Sequence, residues 1–354
     1  MLKKKLIPIT ANNVKLLGRT HVINDTLWCA FSGTGIEFQY TGTHLTVTLI
    51  ADNAFCDVDN QARIAIYVNN NRIIDQMLTS SSQTLSVYEG EAKTITVKII
   101  KLSESAMSII GIKPIEIADT ETLIPTAPQK HKVEFIGDSI TCGYGVDDED
   151  ENHPFHTSTE DVTKAYAYKT ATALDADYSM VSLSGYGIIS GYTDNPDLKC
   201  ENQLLPTYYN KLGFSINKFE DSIAPQNLEW DFSVFEPEAV VINLGTNDES
   251  YCNTAKKFDE FAAAYIDFLK QVREKNPLAH IFCAYGVMNV AMMPSIKTAI
   301  DNYSKTCNDY KISLIELPTQ DGSLGYAASW HPTEATHKIT SETATKKIKE
   351  IMHW

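Results

Sequence analysis

The 354-residue sequence has little positive charge: 30 Lys plus Arg stand against 45 Asp plus Glu, a net charge of -15. Phosphate backbones are held largely by clustered cations, so nucleic acid, anionic lipid and polyanionic substrates are disfavoured, and a neutral or cationic ligand fits better. Cys-x-x-Cys is absent, and the seven cysteines (Cys29, Cys56, Cys142, Cys200, Cys252, Cys283 and Cys307) are odd in number. Such spacing writes neither a disulfide framework nor a zinc knuckle, and implies thiols in a reducing compartment. No run approaches the ~18 apolar residues of a membrane span. The basic start Met1–Thr10 loses its apolar character at Thr10-Ala11-Asn12-Asn13, short of a signal-peptide core. The expected location is therefore cytoplasmic, or secreted if a leader was removed. His153 and His156 lie beside the acidic run 147–151 without a second cluster at ligand spacing, so no metal is expected.

What is present divides into two parts. With 43% hydrophobic residues the chain can bury a core, and its length suggests two domains. From residue 14 to 118, short segments alternate: Gly35–Tyr40, then His44–Ile50 after a break at Thr41-Gly42-Thr43, Ala62–Val68 before the polar turn Asn69–Asn71, Thr94–Lys101 and Ser108–Lys113. Period-two patterning in Val, Ile, Thr and aromatics predicts an antiparallel β-sandwich. Pro114, Pro125 and Pro128 mark a linker, placed at 119–130.

From 131 to 354 strands alternate with helices. Val133–Ile136, Tyr178–Leu183, Glu238–Leu244, His280–Ala284 and Lys311–Leu317 read as strands. Thr163–Leu174, Thr254–Lys275, Ser295–Tyr310 and a segment from Thr333 read as helices. That order predicts an α/β domain built on a parallel sheet, in which ligands bind beyond the carboxyl ends of the strands. Three polar clusters fall at such ends: Gly137-Asp138-Ser139, Ser184-Gly185-Tyr186-Gly187 and Gly245-Thr246-Asn247-Asp248. A fourth, Ser329-Trp330-His331-Pro332, precedes the last helix. Singly these are ordinary: a serine can cap a helix, and Asn or Asp can form turns. The glycines 185, 187 and 191 miss the dinucleotide-loop spacing by one residue.

In this order the four blocks resemble those of the SGNH, or GDSL-type, hydrolases. Gly-x-Ser-x-Gly is absent, so the nucleophile elbow of the α/β-hydrolases is not the pattern. A sandwich ahead of such a domain, with Gly18-Arg19-Thr20, Ser32–Phe38 and Trp330-His331-Pro332-Thr333, resembles the family 2 carbohydrate esterases. The resemblance implies a jelly-roll domain at 1–118 and an SGNH hydrolase domain at 131–354. It also implies removal of O-acetyl groups from xylan- or mannan-derived saccharides through an acetyl-enzyme, without a cofactor.

It further implies Ser139 as nucleophile and His331 as general base, with the N–H groups of Ser139 and Gly185 and the Asn247 amide as oxyanion donors. Tyr186 and Trp330 are the aromatic candidates for contact with a sugar. The family's carboxylate two residues before the histidine is replaced by Ser329, and the position before that is Ala328. Orientation of the imidazole then falls to a backbone carbonyl of the Ser329-Trp330 segment, or the enzyme is weakened. The alternatives are a GDSL-type short-acyl esterase or thioesterase on a non-carbohydrate substrate, and a carbohydrate-binding protein with a degenerate hydrolase domain. The sequence sets no oligomeric state.

Overall fold

The computed structural model describes residues 3–354, so Met1 and Leu2 of the basic start lie outside the described residues. The chain packs as two compact units that do not follow it contiguously. The first runs to Pro128 and adds His156–Glu160 and Lys211–Trp230; the second takes Gln129–Phe155, Asp161–Asn210 and Asp231–Trp354. Two stretches expected in the C-terminal domain thus join the first unit, through contacts that sequence pattern does not encode. The Arg19 guanidinium donates to the Lys211 carbonyl at 2.7 Å. The rings of Trp28 and Phe219 lie 5.3 Å apart, and the Thr157 hydroxyl donates to the Asp59 carbonyl at 3.1 Å.

The first unit is antiparallel, as its alternation predicts. Its two longest strands, Gly35–Ala51 and Ser82–Lys101, pair along most of their length. The break at Thr41-Gly42-Thr43 is no chain reversal: strand Gly35–Ala51 runs through it with register irregularities after Gly42 and Leu45. There the buried set changes phase, from Ile36, Phe38 and Tyr40 to Leu45, Val47 and Leu49, all facing one core. A bulge shifts side-chain parity and bends the strand, which lets one strand serve both faces of a sandwich. The turn at Asn69-Asn70 is real, with both residues left-handed and strands Arg63–Val68 and Asn71–Met77 on either side. The stretch taken as a linker contains strand Thr122–Pro125, which pairs with Gly35–Ala51; its Pro125 sits at the strand's end, where no ladder bond is lost.

The second unit holds five parallel strands: β1 (His131–Gly137), β2 (Ala176–Ser182), β3 (Ala239–Asn243), β4 (His280–Val287) and β5 (Ile312–Thr319), in the spatial order β2-β1-β3-β4-β5. Val240, Val241 and Ile242 of β3 are fully buried, consistent with a sheet covered on both faces. Its helices are α1 (Ser139–Cys142), α2 (Tyr166–Ala173), α3 (Leu205–Tyr208), α4 (Thr246–Glu249), α5 (Ala255–Lys275), α6 (Met293–Cys307) and α7 (Glu334–Met352). Helix α5 buries Phe261, Tyr265, Phe268 and Val272, the spacing of an amphipathic helix. Thr254 and Thr333 cap α5 and α7, their side chains accepting from the N–H groups of Lys257 and Thr336. Among the described residues no helix is long and apolar enough to cross a membrane.

Candidate active site

The chain leaves β1 for β2 on one side and then crosses to β3 on the other, so the connections reverse at the carboxyl end of β1, the place where an open sheet of this kind binds its ligands. Ser139 follows β1 as the first residue of α1. The cap of that helix is Asp138, whose carboxylate accepts from the Ile140 N–H at 3.1 Å. The Ser139 hydroxyl is thereby released from capping duty, and its N–H, at a helix start, has no partner within the helix.

His331, between β5 and α7, meets that hydroxyl. Its Nε2 lies 2.8 Å from Ser139 Oγ, and its Nδ1 lies 3.0 Å from the Ser329 carbonyl oxygen. With Nδ1–H donating to the carbonyl, Nε2 is the bare nitrogen that accepts from Ser139. Burial pushes the imidazole down from its usual range to about 4, against a raising effect of the Ser329 and Ala328 backbone. The ring is therefore neutral at physiological pH, the form a base requires. Ser329 and Trp330 both adopt positive φ, 53° and 63°. Such conformations cost a non-glycine residue of order 1–3 kcal/mol each and mark segments over-determined by their surroundings; here the kink turns the Ser329 carbonyl onto Nδ1.

Of the segment expected to orient the histidine, Ser329 supplies the acceptor and Trp330 does not. The Trp330 carbonyl accepts from Gln320 Nε2 at 2.9 Å. The Ser329 hydroxyl donates to the His153 carbonyl at 3.4 Å and is thus not the imidazole's partner. Trp330 is 52% exposed and lies 5.1 Å from Tyr326, ring to ring. Tyr186 differs from expectation: its side chain is 4% exposed and packs edge-on against Tyr208, so its ring offers no open face to a sugar. Its contribution is the backbone carbonyl, which accepts from Asn247 Nδ2 at 2.9 Å.

Asn247 is the second residue of α4, after β3, and is buried, with Nδ2 also 3.5 Å from Asp138 Oδ2. Gly185, after β2, has φ +82°, and a Cβ there would meet nothing closer than 3.6 Å; the backbone conformation, not crowding, favours glycine. Asp248, which sequence offered as a turn former, accepts from the N–H groups of Ile188, Ile189 and Ser190 and so pins the loop that carries Gly185. Burial raises Asp248 to about 6 and Asp138 to about 7, the latter also through the charge of Asp248.

Two aromatic residues escaped the sequence reading. Tyr144 stacks on the His331 ring with centroids 4.1 Å apart, and Phe155 stacks on Tyr144 at the same separation. The signal was slight, one tyrosine between Gly143 and Gly145. The histidines beside the acidic loop are paired with carboxylates. His153 Nδ1 lies 3.1 Å from Asp148, and His156 Nδ1 lies 2.9 Å from Asp59. Cys142 is buried in α1.

A serine in hydrogen-bond contact with a neutral imidazole, with Gly185 and Asn247 at the ends of the two neighbouring strands, is an arrangement chemically capable of acyl transfer. The chain belongs to the GDSL-like Lipase/Acylhydrolase family, which matches residues 135–339. Residues 16–128 match the carbohydrate esterase 2 N-terminal domain, which joins a family 2 carbohydrate esterase front to the hydrolase unit. Cellulase/esterase CelE of Acetivibrio thermocellus is 30% identical over 92% of this chain, and the chain spans 38% of that protein's length. An acetylxylan esterase / glucomannan deacetylase of Cellvibrio japonicus is 25% identical over 97% of this chain and 90% of its own. Among solved structures, an acetyl xylan esterase (Est2A) from the rumen bacterium Butyrivibrio proteoclasticus is similar with a TM-score of 0.88 and 25% identity, over 100% of this chain and 99% of that one.

Proposed function

We propose that the protein removes acetyl groups from xylan- or mannan-derived saccharides, with Ser139 as nucleophile and His331 as general base and acid. The observation that carries this reading is the 2.8 Å contact between Ser139 Oγ and His331 Nε2, with Nδ1 held at 3.0 Å by the Ser329 carbonyl. Serine attacks a carbonyl only as a base takes its proton, and this pair is poised for that transfer. Ser139 Oγ adds to the acetyl carbon while its proton passes to Nε2. Negative charge then forms on the carbonyl oxygen, and the Ser139 and Gly185 N–H groups with the Asn247 amide are its donors. Collapse breaks the bond to the sugar oxygen, which takes the proton back from Nε2. Water repeats the sequence on the acetyl-serine and releases acetate. No step calls for a metal or an organic cofactor.

The saccharide assignment rests on the carbohydrate esterase relatives and on the exposed face of Trp330 beside Tyr326, an apolar surface of the kind on which a sugar ring stacks. The test is acetate release from acetylated xylo-oligosaccharide by the parent and by Ser139→Ala. The variant is expected to lose at least about 10⁴-fold in kcat, as removal of a triad member does elsewhere. Equal activity of the two proteins contradicts the nucleophile. Turnover of short acyl nitrophenyl esters with indifference to the sugar replaces the saccharide reading with a general short-acyl esterase.

A further inference from the structure

We propose that Tyr144, backed by Phe155, is a positioning residue that holds the His331 imidazole in line with Ser139, doing by ring stacking what a triad carboxylate does by hydrogen bonding. The inference rests on the reading of His331 as base and concerns what keeps it there. The two polar contacts of His331 lie at opposite nitrogens, to the Ser139 hydroxyl and the Ser329 carbonyl. Contacts at those two points leave the ring able to tilt about the line joining them. A carboxylate at Nδ1 would hold the ring more firmly, through a charged, shorter bond, but Ser329 and Ala328 stand where the family pattern places one. The missing restraint is found on the ring face. Tyr144 lies 4.1 Å away at an interplanar angle of 27°, and Phe155 stacks behind it at 4.1 Å and 18°.

The backbone directs Tyr144 to this place. Gly143 ends α1 in a left-handed conformation, and the Tyr144 N–H donates to the Ser139 carbonyl at 3.2 Å. The chain that carries the nucleophile therefore doubles back over the histidine. A Cβ on Gly145 would come within 2.7 Å of Ala328 Cβ, so the turn presses directly on the loop that presents His331. The titratable groups around the imidazole are Ser139 and Tyr144 and, on α7, His337, which burial keeps neutral down to about pH 3. Removing the covering ring hydrates His331 and moves its titration upward.

The experiment measures kcat, KM and the pH dependence of acetate release from acetylated xylo-oligosaccharide for the parent, Tyr144→Leu, Tyr144→Phe and Phe155→Leu, with melting temperatures alongside. Tyr144→Leu is expected to lose on the order of 10²-fold in kcat, the scale of an ångström-sized misplacement of a reacting group, with KM changed less than about twofold. The acid limb of kcat/KM is expected to move up by about one pH unit, towards that of a solvated histidine. Tyr144→Phe, which keeps the stacked face, is expected within about threefold of the parent, and Phe155→Leu between the two. Full kcat in Tyr144→Leu overturns the proposal, as does a loss in Tyr144→Phe equal to that in Tyr144→Leu. Should Tyr144→Leu fail to fold, Phe155→Leu carries the same test, and an unchanged kcat and acid limb there overturns the proposal. Failure of the underlying esterase reading shows separately, as a parent that releases no acetate.

Discussion

Each unit encloses a basic side chain, Lys101 wholly and His331 in part, and the two are treated in opposite ways. In the first unit Lys101 is fully buried, donates to the carbonyls of Ser103 and Glu104, and is surrounded by the carboxylates of Glu160, Asp52 and Glu104. Burial lowers it to about 8, so it remains largely charged at neutral pH, countered on several sides. Its neighbourhood holds the 156–160 segment in place: Glu160 accepts from the Glu104 N–H at 2.7 Å. In the second unit His331 is covered by protein, pushed down to about 4, and met by a hydroxyl and a carbonyl. A buried cation with countercharges is a structural clamp, because its charge is compensated where it stands and nothing is gained by moving a proton. A half-buried neutral base with one nitrogen on a hydroxyl stands ready to take one.

The contrast can be broken by substitution. Lys101→Met leaves the carboxylates buried without their cation and is expected to cost about 3–5 kcal/mol of stability, read from the urea midpoint, with kcat of the folded protein unchanged. A variant as stable as the parent would remove the clamp from the account. Asn247→Ala is expected to do the reverse, lowering kcat about 10²–10³-fold, the usual cost of one oxyanion donor. A change in KM alone would make Asn247 a prop for the Tyr186 carbonyl instead.

Ser329→Asp sharpens the comparison by offering His331 a countercharge. Aspartate tolerates the left-handed conformation at 329. The Ser329 hydroxyl, however, faces the His153 carbonyl oxygen, and Nδ1 is already engaged by the residue's own carbonyl. The gain in kcat is accordingly expected to stay below about tenfold, since the new charge points away from the ring it would have to stabilise. A gain of several orders of magnitude would mean that the present site is a crippled triad.

Much of this was legible in the sequence, and the exceptions share a cause. The five strands of the second sheet stood out because strands buried on both faces are short apolar runs. Ser139, Gly185 and Asn247 stood out as polar residues at strand ends, and their roles, with that of His331, were implied by the resemblance of the four blocks to those of the SGNH hydrolases. The carbonyl that orients His331 was expected from the lack of a carboxylate, whereas its assignment to Ser329 alone depends on two left-handed residues that composition does not announce. The bulge at Thr41-Gly42-Thr43 resembled a turn because a slip in side-chain parity and a chain reversal both interrupt alternation. The return of 211–230 to the first unit, the burial of Tyr186 and the stacking of Tyr144 are outcomes of packing between distant segments, where local pattern is silent.

The central claim is that the base is a half-buried, neutral histidine oriented by a carbonyl. Imidazolium cannot accept the Ser139 proton, so activity falls as pH drops through the pKa of His331 in the free enzyme. The pH dependence of kcat/KM for acetate release tests this most directly. The account predicts activity sustained well below pH 6, with an acid limb centred at about 4. An acid limb between pH 6 and 7, that of an ordinary solvated histidine, would contradict it.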